Sequence, residues 1–143
     1  MQDEGGGLRG VQVRPVLVSA CLLGLKVRYD GTSKPRSDFL PDDVIPIPVC
    51  PEVLGGLSTP RPKSVIEGGN GEDVLSGKAR VASEEGEDVT RNFIRGAEAV
   101  LKVAKMSRAT EAYFKARSPS CDEGFGVAAA LLKKNGISVH SVE

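Results

Sequence analysis

The alternation of short, β-branched apolar segments with helical segments is the feature that most restricts how this chain can fold. The segments with strand character are residues 16–18, 44–49, 109–115 and 137–142. The helical segments are residues 89–107, where apolar side chains recur every three or four positions, and residues 125–134. Strands that alternate with helices predict a mainly parallel sheet covered on both faces. We therefore expect an α/β fold, a three-layer Rossmann-like domain with a mainly parallel sheet.

Two stretches depart from this simple alternation. Pro46 and Pro48 remove hydrogen-bond donors from residues 44–49, so we expect that strand to lie at an edge of the sheet or to be irregular. Glycine and proline are dense between residues 55 and 77. This density predicts an extended surface loop rather than a second domain.

The amino-terminal residues 1–14 are rich in glycine and charge, and they lack the apolar stretch of about 7–15 residues that a secretory signal needs. They predict a flexible leader ahead of a single α/β domain at residues 15–143. The most apolar segment, residues 16–25, is far shorter than the roughly 18 residues of a membrane span. We therefore expect a cytoplasmic protein with no membrane partner.

The overall charge is balanced, with 19 lysines and arginines against 19 aspartates and glutamates. Balanced charge produces no long-range field that would attract a nucleic acid. Tryptophan is absent and aromatic residues make up 4% of the chain, which argues against a base-stacking platform. We expect no extended nucleic-acid surface, and any anionic partner has to be recognised locally.

Three cysteines give the strongest functional signal. Cys21, Cys50 and Cys121 each come after a predicted strand, among small, polar or turn-forming residues. Because ligands bind at the carboxyl ends of parallel strands, we expect the three thiols to gather at that edge. An odd number of cysteines in a chain without a secretion signal argues against a disulfide framework. Burial as a small hydrophobic residue is the alternative for each cysteine taken singly.

Soft thiolates select zinc, copper(I) or iron–sulfur clusters. A structural zinc site needs a fourth ligand and usually closely spaced cysteine pairs, and neither is evident; we interpret His140, the single histidine, as an ordinary surface or core residue. Zinc is therefore the less favoured occupant. A 4Fe-4S cluster held by three cysteines leaves one iron with an open position, which can bind a soft atom such as sulfur as a Lewis acid.

Short motifs around the cysteines carry a resemblance to a known family. They are SACLLG (residues 19–24), VRYDG (27–31), CPE (50–52), TPRP (59–62) and SPSC (118–121). With this combination the chain, from Val16 onward, closely resembles the thiouracil desulfidase family, long known only as a domain of unknown function. The resemblance implies a 4Fe-4S cluster held by Cys21, Cys50 and Cys121. It also implies non-redox removal of sulfur, released as sulfide, from a thiolated pyrimidine: thiouracil or its nucleoside or nucleotide.

Glu52, two positions beyond Cys50, is our candidate for the general acid or base that moves protons between water and the pyrimidine ring. Charge compensation at a helix N-terminus is the equal alternative for this residue. Ser118 and Ser120 are candidates for hydrogen bonds to pyrimidine edges or cluster sulfides, with capping of a turn as the alternative.

Three further residues are substrate-binding candidates. Arg61, between two prolines, is a candidate for a nucleotide phosphate, with a solvated loop arginine as the alternative. Asp30 lies in a Tyr-Asp-Gly turn that forms without any function. Lys115 precedes the SPSC motif.

The chain departs from the family pattern after Cys121. The family has a longer loop with a DGTF-like segment before the last helix, whereas residues 122–126 here lead almost directly into it. This difference keeps open a second hypothesis from another class, a non-catalytic metal- or cluster-binding module that has lost the substrate loop.

Overall fold

The computed structural model of the protein describes residues 12–143. Its strands are β1 (Arg14–Ser19), β2 (Val44–Val49), β3 (Ser64–Glu67), β4 (Arg80–Ser83), β5 (Glu111–Lys115) and β6 (Ser138–Val142). Its helices are α1 (Pro51–Leu54), α2 (Gly71–Leu75), α3 (Thr90–Ser107) and α4 (Val127–Lys134), and a 3-10 helix, Ala20–Leu23, follows β1. Most of the predicted leader lies outside the described residues, but Arg14 already belongs to β1. None of the helices found in residues 12–143 has the length and apolar content needed to cross a membrane.

Four strands form one parallel sheet in the order β2-β1-β5-β6. This sheet confirms the predicted α/β class. β2 lies at an edge, where its two prolines are tolerated because a proline has no N–H with which to bond a further strand on that side. β1 lies inside the sheet, and its residues Val16, Leu17 and Val18 are completely buried.

The two faces of the sheet are covered differently. Alternate residues of a strand point to opposite faces, so Leu17 lies on one side of β1 and Val16 and Val18 on the other. Leu17 belongs to the large apolar cluster that includes residues of α3 and α4, which we call the helix-covered face. Val16 and Val18 pack with Leu22 of the 3-10 helix and with residues of the segment 24–43, and we call this side the loop-covered face.

The extended loop predicted for residues 55–77 is wrong. This segment contains β3 and α2, and β3 pairs antiparallel with β4, with Ser64 opposite Ser83. α2 begins at a capping box in which the Asn70 side chain accepts from the Asp73 backbone and the Asp73 side chain accepts from the Asn70 backbone. The strands are only four residues long and pair with residues far along the chain, so local sequence carries little sign of them.

Close contact between α1 and α3 fixes the chain next to Cys50. A Cβ atom on Gly96 would lie 1.9 Å from the Pro51 carbonyl oxygen, and one on Gly55 would lie 2.0 Å from the Asn92 oxygen. The Asn92 side chain also donates to the Gly55 carbonyl at 2.8 Å. Glycine at both positions therefore lets the two backbones touch, which holds α1 at the end of β2.

Candidate metal centre

A cavity of about 790 Å³ opens at the carboxyl ends of β1, β2 and β5, and all three cysteines line it. Cys21 lies in the 3-10 helix after β1, Cys50 is the N-cap of α1, and Cys121 lies in the turn between β5 and α4. All three are free thiols. The chain leaves β1 for β2 on one side and later returns to β5 on the other, so the cavity lies at the topological switch point of the sheet.

The turn that carries Cys121 is tied to the start of α4. The first backbone N–H groups of this helix, from Val127, Ala128 and Ala129, donate to the carbonyl oxygens of Pro119 and Ser120. Such N–H groups have no partner inside a helix, so the turn supplies the acceptors they need. The position of Cys121 is thereby fixed by backbone contacts.

Burial raises the pKa of all three thiols. It raises the pKa of Cys121 to about 12, and the Cys50 thiolate acts in the same direction. Burial also raises the pKa of Cys21, with Cys50 again adding to the effect, and it raises the pKa of Cys50 itself. The raised pKa values favour the neutral thiol form, and a bound metal would deprotonate thiols that ligate it.

A single zinc ion needs its ligands close together. Zn–S bonds of about 2.3 Å bring the thiolates of one ion to within roughly 4 Å of each other. Among residues 12–143, no three Cys, His, Asp or Glu side chains are grouped to hold a metal ion. His140 lies on β6, where its ring stacks on Tyr113 and shares a hydrogen bond with Glu111. A cluster of several irons is larger than one zinc ion, so thiolates that hold a cluster lie further apart.

Glu52 lies beside the cysteines as a buried carboxylate, 9% exposed. Its Oε1 accepts from Arg61 Nε at 2.8 Å, and its Oε2 accepts from Ser120 Oγ at 3.1 Å. Both carboxylate oxygens are therefore held by side chains that line the same cavity. Glu52 thus makes two specific side-chain contacts in addition to lying at the N-terminus of the short helix α1.

Arg61 is buried and is not a solvated loop arginine. Its side chain is 5% exposed. Besides Glu52, its guanidinium donates to the carbonyl oxygens of Val27 and Ser58 and to the hydroxyl of Thr59, at 2.9 to 3.1 Å. Four of its five N–H groups are thus used within the protein. Arg61 holds Glu52 in place and has little capacity left for a nucleotide phosphate.

Ser118 and Ser120 both line the cavity and have different partners. Ser118 Oγ accepts from the backbone N–H groups of Ser120 at 3.2 Å and Cys121 at 3.1 Å, so it caps the turn. Ser120 Oγ lies 3.1 Å from Ser118 Oγ and donates to Glu52. The two hydroxyls therefore form a continuous hydrogen-bonded path that ends at the carboxylate.

Comparison with known proteins assigns the chain to a family. Residues 16–143 match the family model described as 2-thiouracil desulfurase. The chain belongs to the 2-thiouracil desulfurase family. It is 42% identical over 142 residues to the uncharacterized protein YbbK of Bacillus subtilis (strain 168), over 88% of this chain and 94% of YbbK. It is also similar to the solved structure of the 4Fe-4S-dependent thiouracil desulfidase TudS, with a TM-score of 0.71, 34% identity and 90% of each chain covered.

The two remaining candidates of this 2-thiouracil desulfurase family member lie in different places. Lys115 lines the cavity, and its ammonium group donates to the Ala116 carbonyl at 3.0 Å. Asp30 accepts from the backbone and hydroxyl of Thr32 and is not among the described residues that line the cavity. It also lies 3.8 Å from the guanidinium of Arg28, which does line the cavity.

The sequence interpretation missed several residues of the cavity. Its lining contains six lysine or arginine side chains but only two glutamates, one of which is paired with Arg61. The unanticipated cations are Arg28, Lys34, Lys63 and Arg117. Arg28 belongs to the VRYDG motif, which was the available signal, whereas Lys34 and Lys63 lie in loops without a motif.

Proposed function

We propose that this protein is an iron–sulfur-cluster-dependent desulfidase that removes sulfur from a thiolated pyrimidine without net redox chemistry and releases it as sulfide. The observation that carries the proposal is the meeting of three free thiols and a buried carboxylate around one cavity. The family match and the likeness to TudS support the same activity. Cys21, Cys50 and Cys121 would hold the cluster.

The proposed reaction exchanges a ring C=S group for C=O. One water is consumed, its oxygen stays on the ring carbon, and its two protons leave with the sulfur as hydrogen sulfide or as hydrosulfide and a free proton. When bound, the cluster supplies an iron with an open coordination position, a Lewis acid that prefers a soft atom such as the thiocarbonyl sulfur. No oxidant or reductant is needed.

Glu52 is proposed to take a proton from the attacking water and to return it to the departing sulfur or the ring. A carboxylate next to a metal is suited to this task, and a group in this role contributes about 10²–10⁴-fold to a rate. The ion pair with Arg61 and the hydrogen bond from Ser120 support this role, because they hold both carboxylate oxygens at the cavity wall. Ser118 and Ser120 extend the same path and offer hydroxyls to the edge of the pyrimidine.

The cations around the cavity favour an anionic form of the substrate. Besides Arg61, five cationic side chains line the cavity; Arg28 pairs with Asp30 at 3.8 Å and Arg117 with Glu143 at 3.1 Å. Lys34, Lys63 and Lys115 remain against one acidic lining residue other than the paired Glu52, namely Glu84. Because the whole chain is neutral, this excess is local to the cavity. It supports a nucleotide as the substrate in preference to the free base.

The deciding experiment is anaerobic reconstitution with iron and sulfide, followed by incubation with 2- and 4-thiouracil and with the corresponding nucleotides. We expect sulfide release with stoichiometric formation of the oxo-pyrimidine. A stable cluster without turnover of any of these compounds would instead identify a non-catalytic cluster-binding module. That second hypothesis is favoured by the short turn after Cys121, in which Asp122 accepts from the backbone N–H groups of Arg117 and Gly124.

A further inference from the structure

Ser19, the last residue of β1, makes a hydrogen bond to one of the three thiols. It is 2% exposed and points to the helix-covered face. Its Oγ lies 3.4 Å from the sulfur of Cys121 and accepts from the backbone N–H of Lys115 at 2.9 Å. A hydroxyl has one proton and two lone pairs. Because the Lys115 contact uses a lone pair, the proton is left for the sulfur.

Among residues 12–143, no other hydroxyl is as well placed to donate a hydrogen bond to the Cys121 sulfur. Ser120 Oγ is 3.8 Å from the Cys121 sulfur, but it lies only 3.1 Å from the Glu52 carboxylate and donates its proton there. The other thiols have different surroundings, since Cys50 itself donates to the Val27 carbonyl at 3.9 Å. Cys121 is thus the thiol with a dedicated hydroxyl donor, and the donor is fixed by the neighbouring strand.

We propose that Ser19 is a positioning residue of the metal centre, whose hydroxyl donates to the Cys121 thiolate and stabilises negative charge on the cluster. The inference rests on the proposed ligation of a cluster by Cys121. A hydrogen bond to a coordinating sulfur favours the more negative, reduced state, and such bonds set the reduction potential of iron–sulfur clusters. Ser19 also orients the thiolate, because the Lys115 N–H fixes the direction of the hydroxyl.

The test compares the reconstituted wild-type protein with Ser19→Ala and Ser19→Thr. The reduction potential of the cluster is measured by recording EPR spectra at a series of poised potentials. We expect Ser19→Ala to shift the potential to a more negative value and Ser19→Thr, which keeps the hydroxyl, to restore the wild-type value. An unchanged potential in Ser19→Ala would overturn the inference.

A matched control separates this role from a merely structural one. Ser83 is also buried, and its Oγ accepts from the backbone N–H groups of Glu85 and Glu87. Ser83→Ala therefore removes a comparable acceptor of backbone N–H groups without touching a thiol. We expect it to leave the potential unchanged, and an equal shift in both alanine variants would contradict a specific role of Ser19.

A measurement on the wild-type protein does not depend on how the variants fold. Electron–nuclear double resonance of the reduced cluster in H₂O and D₂O should detect an exchangeable proton coupled to the cluster, and its absence would overturn the inference. A wild-type protein that takes up no cluster would overturn the proposed function together with this inference. If the cluster forms and the protein turns over substrate, but Ser19→Ala leaves the reduction potential unchanged, the inference alone is overturned.

Discussion

The two faces of the sheet differ in how they are covered and in how much apolar surface they bury. Eighteen buried residues form the cluster on the helix-covered face, against five on the loop-covered face. Since burial of apolar surface is the main source of stability, the helix-covered face must supply most of it. The loop-covered face is built from a 3-10 helix and an irregular segment, which leave room for the cavity.

The candidate metal centre lies where these two faces meet. Cys121 belongs to the cluster of the helix-covered face, and Cys21 belongs to that of the loop-covered face. Cys50, at the start of α1, is only half-buried. The thiols therefore come together only when both faces have formed.

The largest expected effect is the loss of the cluster in each of Cys21→Ser, Cys50→Ser and Cys121→Ser. If ligands from both faces share one centre, each substitution should lower cluster affinity by more than about 100-fold and reduce sulfide release to background. Iron content and visible absorbance after anaerobic reconstitution measure the effect. Full cluster occupancy in Cys21→Ser would show that the loop-covered face does not contribute a ligand.

Stability should respond unequally to loss of a phenyl ring on the two faces. Phe114 is completely buried on the helix-covered face, so Phe114→Ala should lower the free energy of unfolding by about 3–5 kcal/mol. Phe39 is half-buried on the loop-covered face, and Phe39→Ala should cost about 1–2 kcal/mol. The free energies of unfolding of the two variants are compared by denaturant unfolding of the cluster-free protein. Equal losses would refute the division of stability between the faces.

Glu52→Gln tests the proton transfer at the junction of the faces. The amide keeps the size of the carboxylate but cannot accept a proton, so we expect about a 10²-fold lower kcat with an unchanged cluster spectrum. Glu84→Gln removes an exposed carboxylate from the same cavity and serves as the control, with little expected change. A normal kcat for Glu52→Gln would assign this residue a purely structural role.

The smallest effect concerns an ion pair at the amino-terminal ends of β1 and β5. Arg14, and then His140, hold the pKa of the Glu111 carboxyl below its usual 4.5 through hydrogen bonds. The pair therefore stabilises the fold above that pH, and the contribution disappears as the pH falls further. Because the groups are partly exposed, we expect less than about 1 kcal/mol. Glu111→Gln should flatten the dependence of the unfolding midpoint on pH below 4.5, and an unchanged slope would contradict this.

Much of the fold and the identity of the three thiols could be predicted from local sequence. Strand and helix periodicity are properties of neighbouring residues, as is the restriction that Pro46 and Pro48 place on β2. The missed antiparallel pair of β3 and β4 shows the limit. A strand of four residues in a stretch rich in glycine and proline is stabilised by its distant partner rather than by its own propensity.

The sequence by itself determined the α/β class, the four strands of the parallel sheet, helices α3 and α4, and the cysteine motifs, because each depends on residues that are close in the chain. Only the tertiary structure decided that Arg61 is buried against Glu52 and that Ser19 reaches Cys121. These contacts join residues 9 and 102 positions apart. Which of these residues meet depends on how strands, turns and helices pack, and packing is a property of the whole chain.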